Sequence, residues 1–228
     1  MHPSWSISTT DRVAERDRVG RWYGPLVSTV ELRPTTLGAR LARLGLRLLR
    51  WEFAPSDLPP PRAMILAVPH TTNLDGLLLV LLTRSIGIPG HWMVKDVWVR
   101  PPIGWITRRV GAVGVNRGKA SGMVGQMAER FAENAEFRLL VPPEGTRSRT
   151  DHWRSGFYRI ALEADVPVVP SYLDYRSRRG GFLPAIDLTG DAVTDMNAIR
   201  AAYPEAREMA RHPDRVGPIE LRDETSSN

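Results

Sequence analysis

The chain has 228 residues, 42% of them hydrophobic, which is enough for one sizeable core and short for two full domains. Its 31 basic residues against 25 acidic ones give a formal charge of +6, and because Lys95 and Lys119 are the only lysines, the positive charge is almost all guanidinium, which favours phosphate or phospholipid partners through bidentate pairing. The absence of cysteine excludes disulfides, a thiolate nucleophile and thiolate metal sites, and a reducing, cytoplasmic location is the expectation.

Residues 1–34 are polar, are punctuated by Gly20, Gly24, Pro25 and Pro34, and lack the basic start and apolar centre of a secretory signal, so they read as an arm whose order the sequence does not specify. The folded domain is expected over 35–203, opening with an amphipathic helix over 37–51. There Leu37, Leu41, Leu44, Leu48 and Trp51 recur at helical spacing, while Arg40, Arg43, Arg47 and Arg50 follow the same rhythm on a neighbouring face. Such a helix either lies on an anionic membrane surface or packs its leucines on the core, and both readings stand at this point. No stretch approaches the roughly 20 apolar residues of a spanning helix.

After a linker from Pro55 to Pro61, strands and helices alternate: strand Ala63–Val68, helix Leu74–Thr83, a short strand Trp92–Val94 and strand Ala112–Val115. Helix Ser121–Ala135 follows, with Met123, Met127 and Phe131 inward, then strand Phe137–Val141, helix Phe157–Glu163, strands Val166–Leu173 and Phe182–Leu188, and helix Asp191–Ala202. This alternation predicts an α/β single domain with a largely parallel sheet flanked by helices, whose ligands sit beyond the carboxyl ends of the strands. Residues 204–228 read as a helix and a disordered tail. Trp92, Trp98 and Trp105, interleaved with Arg100, suit either a docking surface or core aromatics.

Three stretches carry chemistry, each beside a strand. Pro69-His70-Thr71-Thr72-Asn73-Leu74-Asp75-Gly76 follows the first. On one continuous helix His70 and Asp75 would point about 140° apart. They meet if His70 stands in the turn, Thr71 to Asn73 supply the helix cap and Asp75 falls in the first turn, where its carboxylate can fix the imidazole tautomer. The same residues also suit an ordinary turn with an acidic helix start. Leu140 to Ser148 offers Gly145 for close backbone approach and Arg147 for an anion, and Gly111 to Arg117 is a strand ending in arginine.

In this order the stretches resemble the motifs of the glycerolipid acyltransferase superfamily, the lysophosphatidic acid acyltransferases and their small bacterial relatives. His70 with Asp75 is similar to the first motif, Gly111 to Arg117 to the second, Pro143 to Ser148 to the third and Val166-Pro167-Val168-Val169-Pro170 to the fourth. The resemblance implies His70 as general base, Asp75 as its orienting partner, and Arg117, Glu144, Gly145, Thr146 and Arg147 around the acceptor's phosphate or polar head. It implies transfer of a fatty acyl group from an acyl-CoA or acyl carrier protein thioester to a lysophospholipid-like hydroxyl, 1-acylglycerol 3-phosphate foremost, at the inner face of the cell membrane. Another polar lipid or alcohol, or a noncatalytic phospholipid-binding module, is the alternative. Asn116 before Arg117 and Thr-Thr-Asn-Leu inside the first motif depart from the commoner pattern and loosen the assignment of the acceptor. No cofactor is implied. No histidine pair has metal-ligand spacing, no Gly-x-Ser-x-Gly elbow supplies a covalent nucleophile, and no zinc-finger or RNA-recognition signature accompanies the pI near 10.3, so neither metal nor nucleic acid is expected.

Overall fold

The computed structural model describes residues 36–54, 57–88, 90–102, 104–116 and 122–222. The expected N-terminal arm, Arg117 and residues 223–228 lie outside the described residues. Helix α1 (Leu37–Leu48) starts at Thr36, whose hydroxyl accepts from Ala39 N–H at 3.2 Å. It is followed by β1 (Glu52–Phe53), β2 (Arg62–Ala67), α2 (Asn73–Ser85), β3 (His91–Lys95), a 3₁₀ turn at Asp96–Val99, α3 (Gly104–Arg109) and β4 (Ala112–Val115). Then come α4 (Gly122–Glu133), β5 (Phe137–Val141), α5 (Gly156–Glu163), β6 (Val168–Asp174), β7 (Arg179–Phe182), α6 (Ala192–Ala202) and α7 (Ala206–Met209).

The described strands form one seven-stranded sheet in the order β1-β7-β6-β2-β5-β3-β4, parallel at every junction but β6–β7. Strand β2 lies at its centre and shows why both faces are covered. Met64 and Leu66 pack with Met127, Phe131, Phe157, Ile160 and Met196 on one side, while Ala63 and Ile65 meet Leu79 on the other. Side chains that alternate along a strand and are buried on both faces make a near-continuous apolar run, as found here.

Several boundaries differ from the sequence reading. The strand expected at Phe182–Leu188 is β7, Arg179–Phe182; beyond it Ile186 makes only a single bridge to Val168, because the tight turn after β6 starts the return strand early. Helix α1 ends at Leu48, and Arg50 adopts φ +58°, so Trp51 leaves the leucine stripe and turns into the core against Leu78 and Leu82. The leucines do the reverse. Ala39, Ala42 and Leu46 pack inward, and half a helical turn away Leu37, Leu41, Leu44 and Leu48 are 73%, 58%, 52% and 75% exposed. The segment after residue 203 is no loose tail up to residue 222: only four residues are α-helical, and Ala206, Ala210, Val216 and Leu221 join the main core, with Leu221 bridging to Trp153.

Candidate active site

Strands β6, β2 and β5 are neighbours, and β2 is parallel to both, so the segments leaving their carboxyl ends emerge side by side. They carry Tyr175, His70 with Asp75, and Glu144 to Arg147, respectively. Strand β4, which precedes Arg117, stands three places from β2 on the same sheet.

Thr72 opens α2 with a capping box: its hydroxyl accepts from Leu74 N–H at 3.1 Å, and Asp75 in the first turn reaches back to the backbone. The Asp75 carboxylate is 3% exposed and saturated by neutral donors. Oδ2 accepts from Thr71 N–H at 2.6 Å and Thr72 N–H at 2.7 Å, while Oδ1 accepts from Thr72 Oγ1 at 2.8 Å and from the Tyr175 hydroxyl. His70 Nδ1 stands 3.8 Å from Asp75 Oδ2. That is a charge contact rather than a hydrogen bond, and Nδ1 is buried without a hydrogen-bond partner among the described residues. Asp75 is thus both a helix-capping acid and the anion facing the imidazole. Nδ1 is buried while 17% of the side chain stays exposed. Burial holds the imidazole below its ordinary value of 6.5; Asp75 opposes this and Arg147 adds to it. A neutral imidazole at neutral pH is in the protonation state a general base requires.

Glu144, expected against the acceptor, is 8% exposed. It lies beneath the His70 loop, its Oε1 accepting from His70 N–H at 3.2 Å and its Oε2 buried without a partner among the described residues. Burial pushes its carboxyl from 4.5 up to about 7, with Asp75 as a lesser contributor. The folded chain therefore holds a proton here that the unfolded chain releases. The associated stability is fully present below the unfolded value and is lost as pH rises through 7, by about 3 kcal/mol in all. Glu144→Gln is neutral at every pH, so the fall in wild-type thermal midpoint between about pH 5 and about pH 8 should be largely absent from the variant. Parallel losses in the two proteins would show that the proton sits elsewhere.

Gly145 adopts φ +65°, and a Cβ there would come within 2.5 Å of Arg154 Nε, so a larger residue would be strained and would displace the arginine side chain. The turn separates two clefts. One, of about 550 Å³, is lined by Glu144, Thr146, Arg154 and Met123. The other, of about 840 Å³, begins at Thr71–Leu74 beside the His70–Asp75 pair and is lined by Arg147, Arg149, Arg211 and Arg215 with one carboxylate, Asp214. Arg147 donates to Asn73 Oδ1 at the start of α2, Arg215 to Thr71 O at 3.2 Å, and Arg149 to Val216 O at 2.8 Å. Arg211, Arg215 and Tyr175 escaped the sequence reading, because each acts across the fold and none belongs to a local motif. Among the described residues no group of three His, Cys, Asp or Glu side chains is placed to hold a metal ion.

A sequence model described as Acyltransferase matches residues 54–174. The chain is 30% identical over 168 residues to a lyso-ornithine lipid O-acyltransferase of Pseudomonas aeruginosa, covering 66% of this chain and 62% of that one. To a 1-acyl-sn-glycerol-3-phosphate acyltransferase of Limnanthes douglasii it is 27% identical over 109 residues, 46% of this chain and 38% of the relative. The chain thus spans less than two thirds of the length of either relative. Among solved structures it resembles the 1-acyl-sn-glycerophosphate (LPA) acyltransferase PlsC of Thermotoga maritima with a TM-score of 0.53 at 14% identity, over 76% of this chain and 79% of that one. That likeness concerns the fold.

Proposed function

Because the chain belongs to the Acyltransferase family, we propose that it moves a fatty acyl group from an acyl-CoA or acyl carrier protein thioester to the hydroxyl of a lysophospholipid-like acceptor, with 1-acylglycerol 3-phosphate as the preferred substrate. The observation that carries this reading is the His70–Asp75 pair joined, through the intervening Thr71 to Leu74, to the lining of a cleft with four arginines and one carboxylate. His70 Nε2 takes the hydroxyl proton as the acceptor oxygen bonds to the thioester carbonyl carbon, and the tetrahedral oxyanion collapses by breaking the C–S bond. The departing thiolate recovers the proton from the imidazolium, whose charge Asp75 stabilises. Arg147, Arg149, Arg211 and Arg215 hold the acidic head, which sets the acceptor hydroxyl beside the base. Arg117 is proposed to join them. The relatives' different acceptors, a lyso-ornithine lipid and an acylglycerol phosphate, make another polar lipid the second reading.

No helix among the described residues is long and apolar enough to cross a membrane. The exposed leucine stripe of α1, set opposite its packed face, supports peripheral docking, which we place at the inner face of the cell membrane.

The test is a labelled acyl thioester offered with 1-acylglycerol 3-phosphate, its dephosphorylated counterpart and lyso-ornithine lipid, with products read by mass spectrometry. The phosphorylated acceptor should be preferred, and Arg147→Ala or Arg211→Ala should raise its KM roughly 10- to 150-fold while leaving the dephosphorylated one nearly unchanged. A wild-type preference for the dephosphorylated or ornithine acceptor, or equal losses on all three, would move the chain to the second reading.

A further inference from the structure

A second arginine-lined cleft lies at the opposite end of α2 from the His70–Asp75 pair. The 13 residues of the helix separate the two places by about 20 Å. The cleft, of about 360 Å³, is bounded by Thr36, Gly38 and Ala39 at the start of α1 and by Gly87, Ile88, Gly90 and His91 after α2. Its charged lining is Arg84 at the end of α2 with Arg108 and Arg109 at the end of α3, and none of its described lining residues is acidic. Arg84 Nη2 donates to Arg109 O at 2.7 Å and Arg108 Nε to Gly104 O at 3.1 Å, which tethers both guanidinium groups and leaves their other N–H groups to be satisfied. His91, also part of the lining, stacks on Phe137 and has a buried Nδ1 without a partner among the described residues.

The surroundings show which anion would come. Leu37 stands in the chain between the lining residues Thr36 and Gly38, and Val110 between the lining residues Arg109 and Gly111; Leu41 and Ile106 follow one turn along α1 and one turn back along α3. All four are exposed, as are Trp98 and Trp105 nearby in sequence. A free metabolite anion does not call for apolar side chains around its site. A phospholipid in a bilayer does, because its phosphate sits at the polar boundary while its neighbours' acyl chains cover the rim.

We propose that this cleft binds the phosphate of an anionic phospholipid as a headgroup site separate from the acceptor site, with Arg84, Arg108 and Arg109 as its ligands and the rim of Leu37, Leu41, Ile106 and Val110 in the acyl boundary. The site goes beyond docking through the leucine stripe. It makes attachment selective for headgroup, since the cleft adds a phosphate contact beside the apolar stripe.

The test measures binding of the full chain to vesicles of phosphatidylcholine alone and of equimolar phosphatidylcholine and phosphatidylglycerol, at one ionic strength and without substrate. Wild type should prefer the anionic vesicles, and R108Q/R109Q should lose roughly fivefold of that preference for each arginine. The decisive variant is R108K/R109K, which keeps the charge but not the planar fork. A phosphate site predicts that it also loses several-fold. If the lysine variant binds as wild type does, the attraction is diffuse and the site is refuted; an undiminished preference in R108Q/R109Q refutes it as well. Leu44→Ser with Leu48→Ser separates this from docking, since it should weaken binding to both vesicle types while leaving their ratio intact. Wild-type binding by that variant would end the stripe reading, and the arginine variants would still decide the cleft. Turnover of a water-soluble short-chain substrate should be unchanged in R108Q/R109Q and R108K/R109K, which confirms that the compared proteins are folded.

Discussion

His70→Ala is expected to lower acyl transfer by at least about 100-fold, the usual scale of positioned base catalysis, and to leave the fold intact. The side chain stands in a loop beyond β2, its Nδ1 makes no hydrogen bond among the described residues, and the contact that ties the loop down runs from the His70 backbone N–H to Glu144, which alanine retains. The pH profile provides a second reading of the same group. Burial lowers the imidazole value, so the wild-type acid limb of kcat/KM should have its midpoint below 6.5, with activity present above it and lost as pH falls through it. The residual activity of the variant should lack that limb. A loss of less than about tenfold, or an unaltered acid limb, would remove His70 from the role of base.

Asp75→Asn should damage both turnover and stability, for separable reasons. Four neutral donors converge on the carboxylate, and an amide can offer only one acceptor oxygen, so whichever way it is turned its NH₂ faces donors. Losing one charged acceptor costs roughly 1.5 to 3 kcal/mol, which would be visible as a lower thermal midpoint. Turnover should fall on the order of 10²-fold or more, because the anion that stabilises the imidazolium is gone. The sign of the pH shift separates catalysis from capping. Asp75 raises the His70 value, so its neutralisation should move the acid limb of kcat/KM further down. Tyr175→Phe makes the opposite prediction: removing a donor from Oδ1 strengthens the carboxylate's pull on the imidazole and moves the limb up, with a modest loss of rate. An Asp75→Asn protein that is less stable yet turns over at a near-normal rate with an unshifted limb would make Asp75 a cap and nothing more.

The comparison of sequence and structure separates along physical lines. Periodicity identified β4 and β5 to the residue and most of the other elements to within a few, because strands buried on both faces read as apolar runs and helices show a 3.6-residue rhythm. The motifs after β2 and β5 were legible because capping and turn chemistry are local: Thr72 and Asp75 are three residues apart, and Gly145 is favoured by its own backbone angle. Spacing by itself therefore pointed to the α/β class, while the acyltransferase family and the pairing of His70 with Asp75 came from the resemblance of the motifs. Both left open which way the leucine stripe faces, since an amphipathic pattern states only that two faces differ. The structure decides it, because Ala39, Ala42 and Leu46 allow α1 close against α2 and turn the leucines outward. Tertiary structure alone brought Tyr175 to Asp75 across 100 residues, drew Arg215 to Thr71 across 144, and put Glu144 beneath His70 across 74. Contacts at such separations depend on the order and direction of strands in the sheet. That order follows from how all the apolar faces are covered at once, which no single stretch of the sequence encodes.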